Sequence, residues 1–301
     1  MNKLFGLRER LINWGLFTAL SCIWGSSFIL MKAGMTVLTP YQVASIRILS
    51  AGIVLIPFAR KAIKEIPKNK LGLVVLSGIL GSFFPAYLFC IAETRIDSSL
   101  AGILNALTPL FTILVGIAFF QLQAGKLKIA GVMIGFAGLC FLMMKSGNIG
   151  FQNFSYSLLV ILATLFYGIN VNMVARHMQG VGSLNIASLA FVFLIIPTLV
   201  FLYVTGYFSL SFSHKEIWLS TLASAVLGMM GTALASIFFY MLVKRAGTLF
   251  ASMVTYGIPF IAVLWGVIYG ESITLSQVIA LGIILCGVYL VNKKPKTYIP
   301  D

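Results

Sequence analysis

Few side chains in this sequence can do chemistry, and where they fall decides what chemistry is left. The seven acids are Glu9, Glu65, Glu93, Asp97, Glu216, Glu271 and Asp301, and the two histidines are His177 and His214. All of them sit between long apolar runs or at their ends. A Ser–His pair or a metal-bound water needs such groups gathered at one depth. The pattern therefore excludes hydrolytic enzymes and predicts no metal and no cofactor. It also weakens a buried proton relay and leaves facilitated diffusion or exchange open. Arg47 differs, because it is the one charge well inside an apolar run. A guanidinium there is a candidate functional group by default, able to attract a substrate carboxylate. The favoured alternative is a structural ion pair with Glu93 or Asp97. Lys32 closes its own run and is expected to reach outward to water along its stem.

The remaining candidates are uncharged. The stretch "NALTPLFTIL" (105–114) places Asn105, Thr108, Pro109 and Thr112 in a run without a charge from Leu100 to Phe120. Ser98, Ala101, Asn105, Thr108 and Thr112 share one helical face. Close packing through small residues and cavity lining explain that stripe equally well. Trp24, Tyr87, Tyr167, Tyr240 and Tyr256 combine an apolar ring with a polar tip, which suits a cavity for amphiphilic solutes; interfacial belts and core packing compete. Asn170 and Asn172 cannot share a helix face, so at most one lines a cavity. Ser27, Thr232 and Pro259 complete the candidate substrate pathway. Gly25, Gly81, Gly168 and Gly228 predict close helix packing.

Positioning these residues requires long apolar helices. The chain is 60% hydrophobic and 9% charged, with mean hydropathy +1.03; a soluble domain carries roughly 25% charge. Apolar runs of membrane-spanning length alternate with short polar gaps. They predict ten transmembrane helices at 13–31, 41–59, 71–91, 98–119, 127–145, 156–174, 184–204, 217–241, 248–269 and 273–292. The first is read as a retained helix, since no cleavage site follows it. Cys22, Cys90, Cys140 and Cys286 lie in separate runs without CxxC spacing and read as small apolar fillers. The net charge of +14 does not indicate nucleic acid, because the cations lie in the gaps.

With ten helices the gaps fall on alternating sides. One side collects Lys3, Arg8, Arg10, Arg60, Lys61, Lys64, Lys68, Lys70, Lys126, Lys128, Arg176, Lys244, Arg245, Lys293, Lys294 and Lys296. The other holds Lys32, Arg95, Lys145 and Lys215. The rich side is cytoplasmic by the positive-inside rule, with both termini inside.

The chain repeats itself weakly. Residues 95–111, "RIDSSLAGILNALTPLF", lie against 245–261, "RAGTLFASMVTYGIPFI", at an offset of 150, matching Arg95 with Arg245, Ala101 with Ala251 and Pro109 with Pro259. "IWGSSFILMKAG" (23–34) lies against "FYGINVNMVARH" (166–177) at an offset of 143, as does "ASI" (44–46) against "ASL" (187–189). The halves are 1–147 and 148–301, each with five helices. Five is odd, so the second half enters the membrane inverted, as in secondary transporters that bind substrate near the midplane. Thr248, Ala251 and Thr255 repeat the small and polar stripe. Breaks at the matching prolines are expected to mark the pathway.

These pieces resemble the drug/metabolite transporter superfamily, specifically its ten-helix EamA-type members. The matching residues are "WGSSF" with Lys32 following, "SIRIL", "NALTPLFT", "GVMIGFAGLCFL", and "IPFIAVLWGVIYGES" running into "LGIILCGVYLV". The resemblance implies a bacterial inner-membrane carrier of small metabolites, often amino acids and usually outward, with a central cavity. The family commonly has a Gly-Glu pair ending the fourth and ninth helices. Gly270-Glu271 keeps it; the first half offers Gln121 or Leu122, depending on alignment. The expected function is a small-metabolite exporter, with a lipid-carrier flippase or an uptake or exchange carrier as alternatives. The expected partners are a small-molecule substrate and the lipid bilayer; the oligomeric state is open, and a monomer is plausible.

Overall fold

The computed structural model describes residues 2–122, 125–145, 151–252 and 254–292. The side chains of Lys145, Tyr240, Lys244, Thr248 and Ala251, and all of 293–301, lie outside that description. Ten helical rods follow one another: α1 (Asn2–Gly34), α2 (Pro40–Glu65), α3 (Leu71–Gly78, Ile79–Phe83 and Phe84–Ala92), α4 (Ser98–Asn105 and Thr108–Phe120), α5 (Lys126–Lys145), α6 (Phe151–His177), α7 (Ser183–Val204), α8 (Lys215–Gly228, Met229–Leu234 and Ala235–Ser252), α9 (Val254–Ile268) and α10 (Leu275–Asn292). Among the described residues, seven rods are long and apolar enough to cross a membrane, and α9 and α10 are shorter apolar helices. Capping boxes start two rods. Thr39 with Gln42 caps α2, and Thr274 with Gln277 caps α10. Each hydroxyl takes an orphan N–H while the Gln side chain takes the cap's own.

Burial is arranged for lipid. Ile196 is 72% and Tyr203 77% exposed on α7, while Ser188 and Thr198 of the same helix are fully buried. Ser45, Ser98, Ser157, Thr164 and Ser224 are likewise inside. Small residues let helices approach where no hydrophobic force draws them together. Of the cysteines, Cys90 fills the core; Cys22, Cys140 and Cys286 instead lie on the exposed surface.

The glycines show how the halves are related. Gly25 of α1 leaves room for Ile261 of α9, and Gly168 of α6 for Phe111 of α4. Gly78 of α3 packs on Ala190 of α7, and Gly228 of α8 on the Arg47 carbonyl of α2. Gly81 meets Asn170, and Gly231 meets Ser27. Within each pair, every residue of one contact maps onto the other by the offsets 143 or 150. At the junction of the halves, Gly52 of α2 packs on Ile195 of α7, its own counterpart.

Three interruptions matter for the site. α4 breaks at Ala106–Leu107, so that Pro109 opens a fresh helix, where its missing N–H costs nothing. Inside a continuous helix it would cost about 3 kcal/mol. α3 and α8 each carry a π-helical segment, Ile79–Phe83 and Met229–Leu234, again 150 residues apart. The expected matching break at Pro259 is absent: this proline lies inside α9, past its first turn. The predicted gap at 242–247 is also different, since helical backbone runs to Ser252. The chain still reverses nearby. Arg245 reaches Glu9 on α1, whereas the Val254 carbonyl lies beside Ser21, further along that helix.

A methyl group at Gly228 would have to displace the Arg47 carbonyl, whereas Gly282 has open space around it. Gly228→Ala should lower stability by about 1–3 kcal/mol and Gly282→Ala should not, measured as thermal midpoints of the purified protein.

Candidate functional site

The first polar centre forms around the π segment of α8. A π turn widens the helix and disturbs its ladder. The Gly231 carbonyl accepts from Trp24 Nε1 of α1 at 3.0 Å. Thr232 Oγ1 accepts from Arg47 Nε of α2 at 2.9 Å, and a guanidinium N–H of Arg47 points at the Met31 sulfur at 3.8 Å. Ser27 lies against Gly231 and donates to the Ile23 carbonyl. Trp24, Ser27, Arg47 and Thr232 are thus brought together. Arg47 Nε bonds Thr232 of the second half and its N–H points at Met31 of the first, so the guanidinium lies between the halves. The favoured ion pair with Glu93 or Asp97 is not formed: among the described residues Arg47 has no carboxylate partner.

The other candidates distribute around this centre. Tyr87 bonds Ser45 Oγ at 2.6 Å and packs with Phe83 and Phe201. Tyr167 stacks on Phe89. Asn170 faces the π segment of α3 at Gly81, and its Oδ1 is buried with no partner among the described residues. Asn172 donates to the carbonyls of Thr112 and Gly168, so it secures α6 to α4. Asn105 ends the first half of α4, where Thr108 Oγ1 donates to its backbone oxygen at 2.8 Å. The α4 stripe therefore serves its own break. Tyr256 packs against the core on α9, and Pro259 is buried.

A second centre closes the other ends of α1, α3 and α9. Lys32 Nζ lies 2.7 Å from Glu271 Oε1 and 3.4 Å from Asp97 Oδ1. It is held in a network, contrary to the expectation that it simply reaches outward to water. Glu271 Oε1 also accepts from the Ser98 N–H at 2.9 Å, and Oε2 from the Ser99 N–H at 3.0 Å. One carboxylate thus caps α4 and binds the end of α1. A cavity of about 240 Å³ lined by Ile29, Lys32, Ala33, Thr36, Tyr269 and Glu271 lies alongside.

The EamA-like transporter profile matches residues 13–144 and again 154–293. The chain belongs to the EamA-like transporter family. It is a membrane transporter and not an enzyme. Each match spans five helices, so the fold is all-α, with ten transmembrane helices as two inverted repeats. One relative, the uncharacterized inner membrane transporter YedA of Escherichia coli K12, is 27% identical over 95% of this chain and 92% of its own length. A protein of the same strain named a probable amino-acid metabolite efflux pump is 27% identical over 42% of this chain and 41% of its own. A crystal structure at 14% identity superposes with a TM-score of 0.63 over 94% of this chain and 96% of the other, sharing the fold.

The structure decides which residue of this EamA-like chain matches Glu271 in the first half. Gly270 ends α9 in the left-handed conformation, φ 80°, and Gln121 ends α4 in the same one, φ 57°. Gln121 is therefore the counterpart of Gly270, and Leu122 that of Glu271. The N–H groups of Gln121 and Leu122 both bond back to the Gly116 carbonyl, where the Glu271 N–H bonds back to Gly266, so the end of α4 is one residue wider. The ionic clasp has no such acid at the opposite face, where Arg176 donates instead to the Phe120 carbonyl. Neither the π segments nor the clasp is announced by a motif; the recurrence of Gly81 at Gly231 is the one sign of the former.

Glu271→Ala should cost about 1–3 kcal/mol of stability by freeing two N–H groups and a cation. Lys32→Met should cost less, since the α4 cap survives. Burial alone would raise the Glu271 carboxyl, but Lys32 and the serine N–H groups hold it below its usual range. Its contribution is present above the unfolded value of about 4.3 and lost as pH falls through the lower folded one. Acid unfolding curves of wild type and Glu271→Ala should therefore converge at low pH.

Proposed function

We propose that the protein is a secondary transporter that exports amino acids or related carboxylates by alternating access between its two halves, 1–147 and 148–301. The observation that carries this reading is Arg47: a guanidinium between the halves, bonded to Thr232 and without a carboxylate partner among the described residues. Exposing a charge to the low-dielectric interior is costly unless something answers it. A substrate carboxylate can answer it when bound and leave with the next opening. Trp24 supplies an apolar face beside it, with Ser27, Thr232 and the unpartnered Asn170 Oδ1 as polar contacts; Tyr87, Asn105, Pro109, Tyr167, Tyr256 and Pro259 belong to the surrounding pathway. The relative named for amino-acid metabolite efflux supports this cargo, and the relative named an inner membrane transporter supports a bacterial inner-membrane location. The Lys/Arg bias supports cytoplasmic termini, which puts the Lys32–Glu271 clasp on the outer face and makes it an outer gate.

The test is thermal stabilisation of the purified protein in detergent by amino acids, nucleosides, carboxylates and a polyprenyl lipid. A carboxylate-bearing solute should raise the thermal midpoint of wild type, and Arg47→Ala should abolish the effect. Stabilisation retained in Arg47→Ala would move recognition away from Arg47. Stabilisation by the lipid alone would contradict the solute reading.

A further inference from the structure

Glu93 stands one residue past α3 and is 4% exposed. Its Oε2 accepts from Ser98 Oγ at 3.0 Å, while Oε1 is buried with no partner among the described residues. Lys32 from α1, Arg47 from α2 and Glu271 following α9 face it, with Cys90 on its own helix. Neither cation bonds to it. Lys32 is committed to Glu271 and Asp97, and Arg47 to Thr232. Burial pushes the Glu93 carboxyl well above the ordinary carboxylate range, against the opposing pull of Ser98, Lys32 and Arg47. Two neighbouring acids are thus driven apart by their surroundings. Glu271 carries three donors and stays ionised, whereas Glu93 has one donor and a bare oxygen. Environments split in this way assign opposite protonation states to a carboxyl pair.

We infer that Glu93 binds a proton when the Lys32–Glu271 clasp is shut and releases it when that face opens, so that the gate exchanges a proton with the water it meets. This rests on the transporter reading. The balance is simple: on closing, the carboxylate takes one proton from the water of that face and loses its charge; on opening, the proton returns. An ionised Glu93 inside the closed gate would compete with Glu271 for Lys32 and weaken the clasp, so the proton favours closure.

The stability of the closed form carries the signature. A raised folded value means that the Glu93 contribution is fully present below the unfolded value of about 4.3 and is lost as pH rises through the raised one. In the purified full chain, the thermal midpoint of wild type should fall relative to Glu93→Gln by about 2–4 °C between roughly pH 5 and pH 8. Parallel curves would overturn the inference. Ser98→Ala removes the one donor that favours the ion, so it should extend the wild-type decline to higher pH; an unchanged decline would count against it. Gate opening is read with Ile29→Cys, in the cavity beside Lys32 and Glu271, by a membrane-impermeant maleimide. The rate, divided by that of a free thiol at the same pH, should rise by up to about tenfold per pH unit. In Glu93→Gln it should be flat, and a rise in both proteins or in neither would refute the link. No substrate enters these measurements, so their failure leaves the transport reading standing, and failure of the solute screen leaves this result intact.

Discussion

A carbonyl or N–H released from a helix inside lipid has no water to turn to, and each one left bare costs several kcal/mol. This chain releases such groups at the break in α4 and disturbs the ladder in the π segments of α3 and α8, and the packing follows from how they are answered. Trp24 of α1 takes the Gly231 carbonyl of the π segment, while Asn172 of α6 and Ser50 of α2 add bonds to the carbonyls of Thr112 and Ala225 in the regular helix nearby. Thr108 and Ser236 reclaim the carbonyls of Asn105 and Thr232. Trp24, Thr108 and Ser236, which look out of place in apolar runs, are therefore the partners of irregular backbone, and Trp24 fixes α1 against α8. Irregular backbone survives here because it faces protein.

The same constraint separates symmetry from function. The contacts of Gly25, Gly78 and Gly81 recur at Gly168, Gly228 and Gly231, because both halves solve one packing problem. Departures from that recurrence are where chemistry enters. Arg47 stands where the other half has Ala190, Ser27 where it has Asn170, and Glu271 where it has Leu122. The first exchange places a charge beside a π segment; the last places an ionic cap at one membrane face.

The helix count, the approximate spans, the duplication and the packing role of Gly25, Gly81, Gly168 and Gly228 were legible in the sequence. Hydropathy, the offset of the matching prolines and small-residue spacing are local signals. The capping signatures at Thr39–Gln42 and Thr274–Gln277 are local too. The π segments left only the recurrence of Gly81 at Gly231 as a sign, because a one-residue widening leaves no composition signal of its own. The Arg47 ion pair that the sequence favours is absent from the structure, because helical rise alone gives depth and not azimuth. Arg47 shares a level with Glu93, yet Thr232 on another helix claims it. Lys32 and Glu271 are 239 residues apart, and nothing local announces that they meet. The buried state of Glu93 has the same origin: as a helix-end acid it reads as solvated, and the neighbouring helices close over it.

The measurement that bears most directly on the account is release of a labelled amino-acid mixture from proteoliposomes containing the purified protein, with Arg47→Ala reconstituted in parallel. The account predicts release faster than from empty vesicles for wild type, and no faster than from empty vesicles for a folded Arg47→Ala protein. Equal release by both proteins would contradict the assignment of Arg47 as the group that the cargo's carboxylate must answer.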